Sequence, residues 1–139
     1  MLAALVDTGP IVAMFSRSDP DASHYRKLFD QATHEHWALA TCWPCLVEAS
    51  HMLAPPQRYA MLRWAGSGAV TVYALEAEHL EDTVALMKHW TVPPKTEMDL
   101  VDAALVRLAN ELGVNRIMST DRRDFNRYRL ADGRAFEIL

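Results

Sequence analysis

The sequence predicts an α/β fold, a mainly parallel β-sheet with helices packed on both faces. Three observations predict it. Runs of strand length alternate with segments of helical period along the whole chain. The first run, Leu2-Ala3-Ala4-Leu5-Val6, is apolar at every position, the pattern of a strand covered on both faces. Asp, Pro and Gly stand between the runs, where a chain that crosses back over a sheet needs turns and helix starts.

Each element follows from its residues. Asp7 closes the first strand. Thr8-Gly9-Pro10 then opens a helix that continues through Ile11 to Phe15, with Pro10 in the first turn, where its missing N–H is no loss. Asp19-Pro20-Asp21 is a turn and start signal for a second helix over about Ala22 to Thr33. Trp37 to Thr41 reads as a second strand. Pro44 opens a third helix, about Cys45 to Leu53; Pro55-Pro56 stops it, and Gln57 to Trp64 is helical again. Gly66-Ser67-Gly68 is a turn before the β-branched strand Val70 to Tyr73, and Glu76 to His89 is helical. Pro93-Pro94 breaks the chain. Asp99 to Leu112 is the clearest helix, with a broad apolar stripe and Gly113 just past its end. Arg116 to Thr120 is a strand, Asp121 to Arg127 a turn or short helix, and Ala135 to Leu139 a candidate last strand.

The 139 residues suit one domain, 1–139, and the balance of 50% hydrophobic and 23% charged residues is that of a globular protein. Leu2 to Val6 has no basic residue before it and meets Asp7 at once, so it does not read as a secretory signal. No run approaches the ~20 apolar residues of a membrane span. A cytoplasmic protein with no membrane partner is the expectation. The net charge of −4 weighs against a protein that holds nucleic acid by bulk charge alone. The arginines are unevenly placed, however: Arg116, Arg122, Arg123, Arg127, Arg129 and Arg134 fall in the last 24 residues. Guanidinium suits bidentate phosphate contacts, and a solvated basic face accounts for the same cluster equally well.

In parallel α/β sheets, ligands bind beyond the carboxyl ends of the strands. That rule singles out Asp7 and Asp121, each directly after a predicted strand. Glu48 lies inside Leu46-Val47-Glu48-Ala49, and Asp102 lies inside Leu100-Val101-Asp102-Ala103-Ala104-Leu105. A desolvated carboxylate needs a partner or a metal, and few basic residues are near these four in sequence. Four carboxylates at one sheet edge would repel one another, and a hard divalent cation resolves the repulsion. Each acid also has a local role open to it. Asp7 serves as a helix cap, Glu48 as an exposed residue of an amphipathic helix, Asp99 and Asp102 as a capping pair, Asp121 as a turn residue. Asp124 reads as structural support.

Four segments carry a resemblance: Leu5-Val6-Asp7-Thr8-Gly9-Pro10, Pro44-Cys45-Leu46-Val47-Glu48-Ala49, Met98-Asp99-Leu100-Val101-Asp102-Ala103-Ala104-Leu105 and Ser119-Thr120-Asp121-Arg122-Arg123-Asp124-Phe125. In this order and spacing they resemble the blocks of PIN-domain ribonucleases, most of all the toxins of VapBC-type toxin–antitoxin pairs. The resemblance implies a three-layer α/β/α sandwich with a parallel sheet of about five strands. It implies that Asp7, Glu48, Asp102 and Asp121 bind Mg²⁺ or Mn²⁺, with Thr8 and Thr120 lining the site and Asp99 a possible sharer of the metal. It also implies RNA hydrolysis, at a tRNA or ribosomal RNA loop in many toxins, with metal-activated water as attacking group. An antitoxin partner and a homodimer belong to the same expectation. Arg122 and Arg123, which flank the site, are candidate RNA-backbone contacts.

Two motifs point elsewhere. Cys42-Trp43-Pro44-Cys45 has the spacing of a thioredoxin-type redox pair between a strand and a helix, but that reading leaves the acids unexplained, and incidental cysteines are the expectation. Asp7-Thr8-Gly9 is the triplet of aspartic proteases, which are all-β and need two copies; here there is one. The alternative function is a PIN-like or receiver-like module that binds a metal or partner without cutting. A receiver needs a lysine after a late strand, and Lys27, Lys88 and Lys95 are the only lysines.

Overall fold

The computed structural model describes residues 2–139. Five strands form one all-parallel sheet in the order β3-β2-β1-β4-β5. They are β1 (Ala3–Val6), β2 (Ala38–Cys42), β3 (Thr71–Tyr73), β4 (Arg116–Met118) and β5 (Glu137–Ile138). The helices are α1 (Thr8–Phe15), α2 (Ala22–His34), α3 (Trp43–Met52), α4 (Pro55–Gly66), α5 (Leu80–Trp90), α6 (Leu100–Leu112) and α7 (Arg122–Arg127).

Side-chain alternation along the strands builds two cores. Ala4 and Val6 of β1, Leu39 of β2 and Met118 of β4 pack with Ile11, Tyr25, Phe29 and Met61 from α1, α2 and α4. Leu5, Ala40 and Ile117 point the other way and pack with Leu105, Leu108, Phe125 and Tyr128 from α6 and α7 and the segment that follows it. This is the expected three-layer α/β/α sandwich.

The central strand explains where a site can form. From β1 the chain winds outward through β2 and β3, then returns to place β4 on the other side of β1. The winding reverses between β1 and β4, so a crevice opens at their carboxyl ends. The Asp7 N–H donates to the Met118 carbonyl across it (3.0 Å).

Element boundaries differ from the sequence reading where proline and glycine were read too simply. Pro55 and Pro56 do not merely stop a helix; they open α4 from the Ala54 cap, since a first-turn position asks for no N–H donor. Gly66 ends α4 inside the helix, and the turn is left to Ser67 and Gly68, the latter at φ +89°. The Glu76 segment is split into a 3₁₀ turn (Ala77–His79) and α5. The last strand is two residues, not five: it pairs with Arg116 and Ile117 of β4, while Ala135 bridges to Arg129 instead.

Candidate active site

Asp7, Asp102 and Asp121 converge at the crevice, and local structure dictates how. Asp7 follows β1 and caps α1: its Oδ1 accepts the Thr8 N–H (2.7 Å). Its Oδ2 accepts the Ser119 hydroxyl (2.8 Å), and Ser119 Oγ in turn accepts the Asp121 N–H (3.0 Å). Asp121 caps α7, its Oδ1 accepting the Asp124 N–H (3.2 Å). Asp102 lies in the first turn of α6, where Asp99 is the cap and accepts the Asp102 N–H (2.8 Å). Asp102 Oδ2 accepts the hydroxyl of Tyr128, a fully buried side chain (2.8 Å). The capping roles and the convergence coincide, because a carboxylate oxygen has two lone pairs and a backbone N–H uses one.

Carboxylate oxygens of Asp102, Asp121 and Asp124 lie within 4.8 Å of one another. Asp124, read from the sequence as support, stands inside the cluster. Arg127 holds it: Nε donates to Asp124 Oδ1 (3.1 Å), Nη1 to the Trp90 carbonyl (2.6 Å), and the guanidinium lies 4.8 Å from the Tyr128 ring centroid.

Glu48 is exposed, unlike the buried acid its apolar neighbours suggested. Cys45, Leu46 and Ala49 form the buried side of α3, and Glu48 falls off that stripe. It stands at a groove of about 610 Å³ between α3 and the start of α6, lined also by Trp43, Val47, Met52, Leu100 and Val101. Its charge nevertheless acts on Asp7. Asp99 is exposed at the rim. Thr8 is buried, with its hydroxyl directed to the Cys45 carbonyl (3.5 Å). Thr120 is exposed and packs over Gly9, where a Cβ would collide with the threonine Oγ1. Any larger residue there would force the Thr120 side chain to shift. Arg122 and Arg123 are exposed on α7.

The electrostatics follow from this crowding. Burial pushes Asp7 up to about 6, against the hydrogen bonds from Ser119 and Thr8, and the Glu48 and Asp121 charges push the same way. Burial pushes Asp102 up to about 8, helped by the Asp99 charge and opposed by the Tyr128 hydroxyl. Asp121 is also raised, by burial first. These carboxyls resist ionising together. An oxygen-only donor set under mutual repulsion fits a hard divalent cation.

No family model and no curated protein sequence matches the chain. Solved structures do. The crystal structure of Mycobacterium tuberculosis VapC20, a toxin that cleaves the sarcin–ricin loop, superposes with a TM-score of 0.75 at 17% identity, covering 87% of this chain and 92% of that one. A toxin–antitoxin complex from Klebsiella pneumoniae matches with a TM-score of 0.59 at 19% identity, covering 88% and 89%. The chain has the PIN fold.

Within this PIN fold, sequence reasoning missed four residues of the polar web. Asp124 carries a visible signal, its i+3 spacing from Asp121. Arg127 carries the same kind of signal, standing three residues after Asp124 on α7. Ser119 and Tyr128 carry none, since each reaches the site through the fold: Ser119 bonds to a residue 112 positions away, and Tyr128 to one 26 away.

Proposed function

We propose that the chain is a divalent-metal-dependent endoribonuclease acting as the toxin of a toxin–antitoxin pair. The observation that carries this is the cluster of Asp102, Asp121 and Asp124, with Asp7 beside it, at the switch point of a PIN-fold sheet. The names of the two similar structures support the substrate class, RNA, and the partner, an antitoxin protein. A ribosomal RNA loop is the substrate this favours over a tRNA. The cytoplasm, where such RNA is found, is the corresponding location.

Asp7, Asp102, Asp121 and Asp124 would hold Mg²⁺ or Mn²⁺, with Glu48 and Asp99 at the rim. When bound, the ion supplies Lewis-acid activation of water and neutralises charge developing on the phosphate. The chain's own part is positioning. Ser119 fixes Asp7 against β4 and Tyr128 fixes Asp102 against the end of α7. Arg127 restrains Asp124 and partly offsets the negative charge. Arg122 and Arg123, exposed on α7, would meet backbone phosphates.

The test is cleavage of ribosomal RNA and tRNA by the purified chain in Mg²⁺, Mn²⁺ or EDTA, beside Asp102→Asn. Cleavage that needs metal and disappears in the variant supports the proposal. Mn²⁺ binding by calorimetry without cleavage of any RNA would replace it with the non-catalytic module. Slow growth on expression of the chain, restored by a co-expressed partner, tests the toxin assignment separately.

A further inference from the structure

The Cys42-Trp43-Pro44-Cys45 segment has no part in the nuclease reading, yet the fold gives it a specific geometry. Cys42 is the last residue of β2 and the cap residue of α3; Cys45 lies in the first turn of that helix, and Pro44 fills a first-turn position between them. Both thiols are free and buried, with their Sγ atoms 3.5 Å apart and in hydrogen-bond contact. Filling the core would need only a small apolar side chain at each position. Two sulfurs facing each other across the start of a helix are, in addition, competent to bond.

We propose that Cys42 and Cys45 are an oxidation site, at which a small hydroperoxide converts the two thiols reversibly into one intramolecular disulfide. Access selects the oxidant. Cys42 is 3% exposed and Cys45 is 0% exposed, so a bulky disulfide such as oxidised glutathione is shut out and the oxidant must be as small as hydrogen peroxide. The two sulfurs have distinct roles. The hydrogen bond shared by the two sulfurs lowers the Cys42 thiol, and the same bond with burial raises Cys45. Cys42, the cap residue of α3 and the less buried of the two, is the attacking sulfur, and the fully buried Cys45 the resolving one.

The chemistry balances. The Cys42 thiolate attacks one peroxide oxygen; an S–O bond forms, the O–O bond breaks, and the hydroxide that leaves takes up a proton to become water. Cys45 then attacks the Cys42 sulfur. An S–S bond forms, the S–O bond breaks, and the departing hydroxide takes the Cys45 proton as a second water. The sulfur pair gives up two electrons and the peroxide accepts them. The bond would tie the first turn of α3 to the end of β2. That turn also carries the Cys45 carbonyl, which accepts the Thr8 hydroxyl next to Asp7, and Glu48 follows Cys45 by three residues on the same helix.

The experiment treats the folded wild-type chain with hydrogen peroxide, quenches and denatures it, and then applies intact-mass spectrometry and maleimide labelling before and after dithiothreitol. The expected result is a mass lower by two hydrogens, loss of both labelling sites, and return of both on reduction. Retention of both thiols under conditions that oxidise exposed methionines would overturn the proposal. So would a product that gains oxygen at the cysteines and loses no hydrogens, or a disulfide between chains. Cys45→Ser treated with peroxide should be trapped by dimedone at Cys42. Capture at Cys45 in Cys42→Ser, with none at Cys42 in Cys45→Ser, would overturn the assigned order of attack. No RNA is present, so the result is independent of the nuclease proposal.

Discussion

Replacing Asp102 with Asn should stabilise the metal-free protein, and the size can be worked out from the site. Burial and the Asp99 charge hold Asp102 at about 8, against an ordinary value of 3.8. A carboxyl raised on folding contributes fully below its unfolded value, and the contribution is lost as pH rises through the folded value. At pH 7 the wild type has lost about 4 kcal/mol in this way, at 1.36 kcal/mol per pH unit, and at pH 5 about 2 kcal/mol. Asn removes the titration at nearly constant shape and keeps an oxygen to accept the Tyr128 hydroxyl. In EDTA at pH 7 the variant should therefore melt roughly 10 °C higher than the wild type, and the gap should narrow towards pH 5. Mn²⁺ should reverse the order, stabilising the wild type by about 3 kcal/mol at ~100 times its Kd and the variant far less. Thermal melts across pH in EDTA and in Mn²⁺ measure both effects. A variant less stable than the wild type in EDTA at pH 7, with equal Mn²⁺ stabilisation of both, would refute the reasoning.

Three further outcomes are expected. Tyr128→Phe removes the hydroxyl that lowers the Asp102 pKa, so protons compete better with metal; Mn²⁺ affinity by calorimetry should fall more at pH 6.5 than at pH 8.5. Glu48→Gln should change stability by no more than about 0.5 kcal/mol, because the side chain is exposed, while an NMR titration should find the Asp7 pKa lowered, since the Glu48 charge raises it. Gly9→Ala should cost about 1–3 kcal/mol through the clash with Thr120, and Thr120→Ala should recover part of that loss in a double-mutant cycle measured by denaturant unfolding.

The fold was legible because its signals are local. A strand covered on both faces has no choice but an unbroken apolar run, and Leu5 and Val6 are indeed fully buried. Asp99 caps α6 and Gly113, at φ +67°, ends it, each by backbone chemistry that the sequence displays. What misled were residues with two uses. Proline both ends a helix and opens one, and at Pro55-Pro56 the second use holds, because the chain turns at Leu53 and Ala54 and a new helix starts at once. The short β5 was over-read for a different reason: the length of an edge strand is set by its neighbour, and β4 is only three residues long.

The site was legible only as far as chemistry is written one residue at a time. A carboxylate after a buried strand, as at Asp7, or within an apolar helical run, as at Asp102, announces a cost that something must offset, and both are buried. The same inference failed for Glu48 because an apolar neighbourhood in sequence includes both sides of a helix. The 3.6-residue period turns Glu48 outward between the buried Cys45 and Ala49. The partners that complete the site are of another kind. Ser119 and Tyr128 are unremarkable where they stand in the chain, and they matter because β4 lies beside β1 and the end of α7 meets α6; Arg127 stands three residues after Asp124 on the same helix. Each meets an acid that is raised or crowded: Ser119 meets Asp7, Tyr128 meets Asp102, and Arg127 meets Asp124. A cluster of carboxylates in a protein of net charge −4 can fold without metal only if such donors absorb part of the repulsion. Protonation absorbs the rest, as the elevated values of Asp7 and Asp102 require. Metal binding at this site would accordingly release protons near neutral pH, and affinity would rise with pH through the range in which Asp7 and Asp102 ionise.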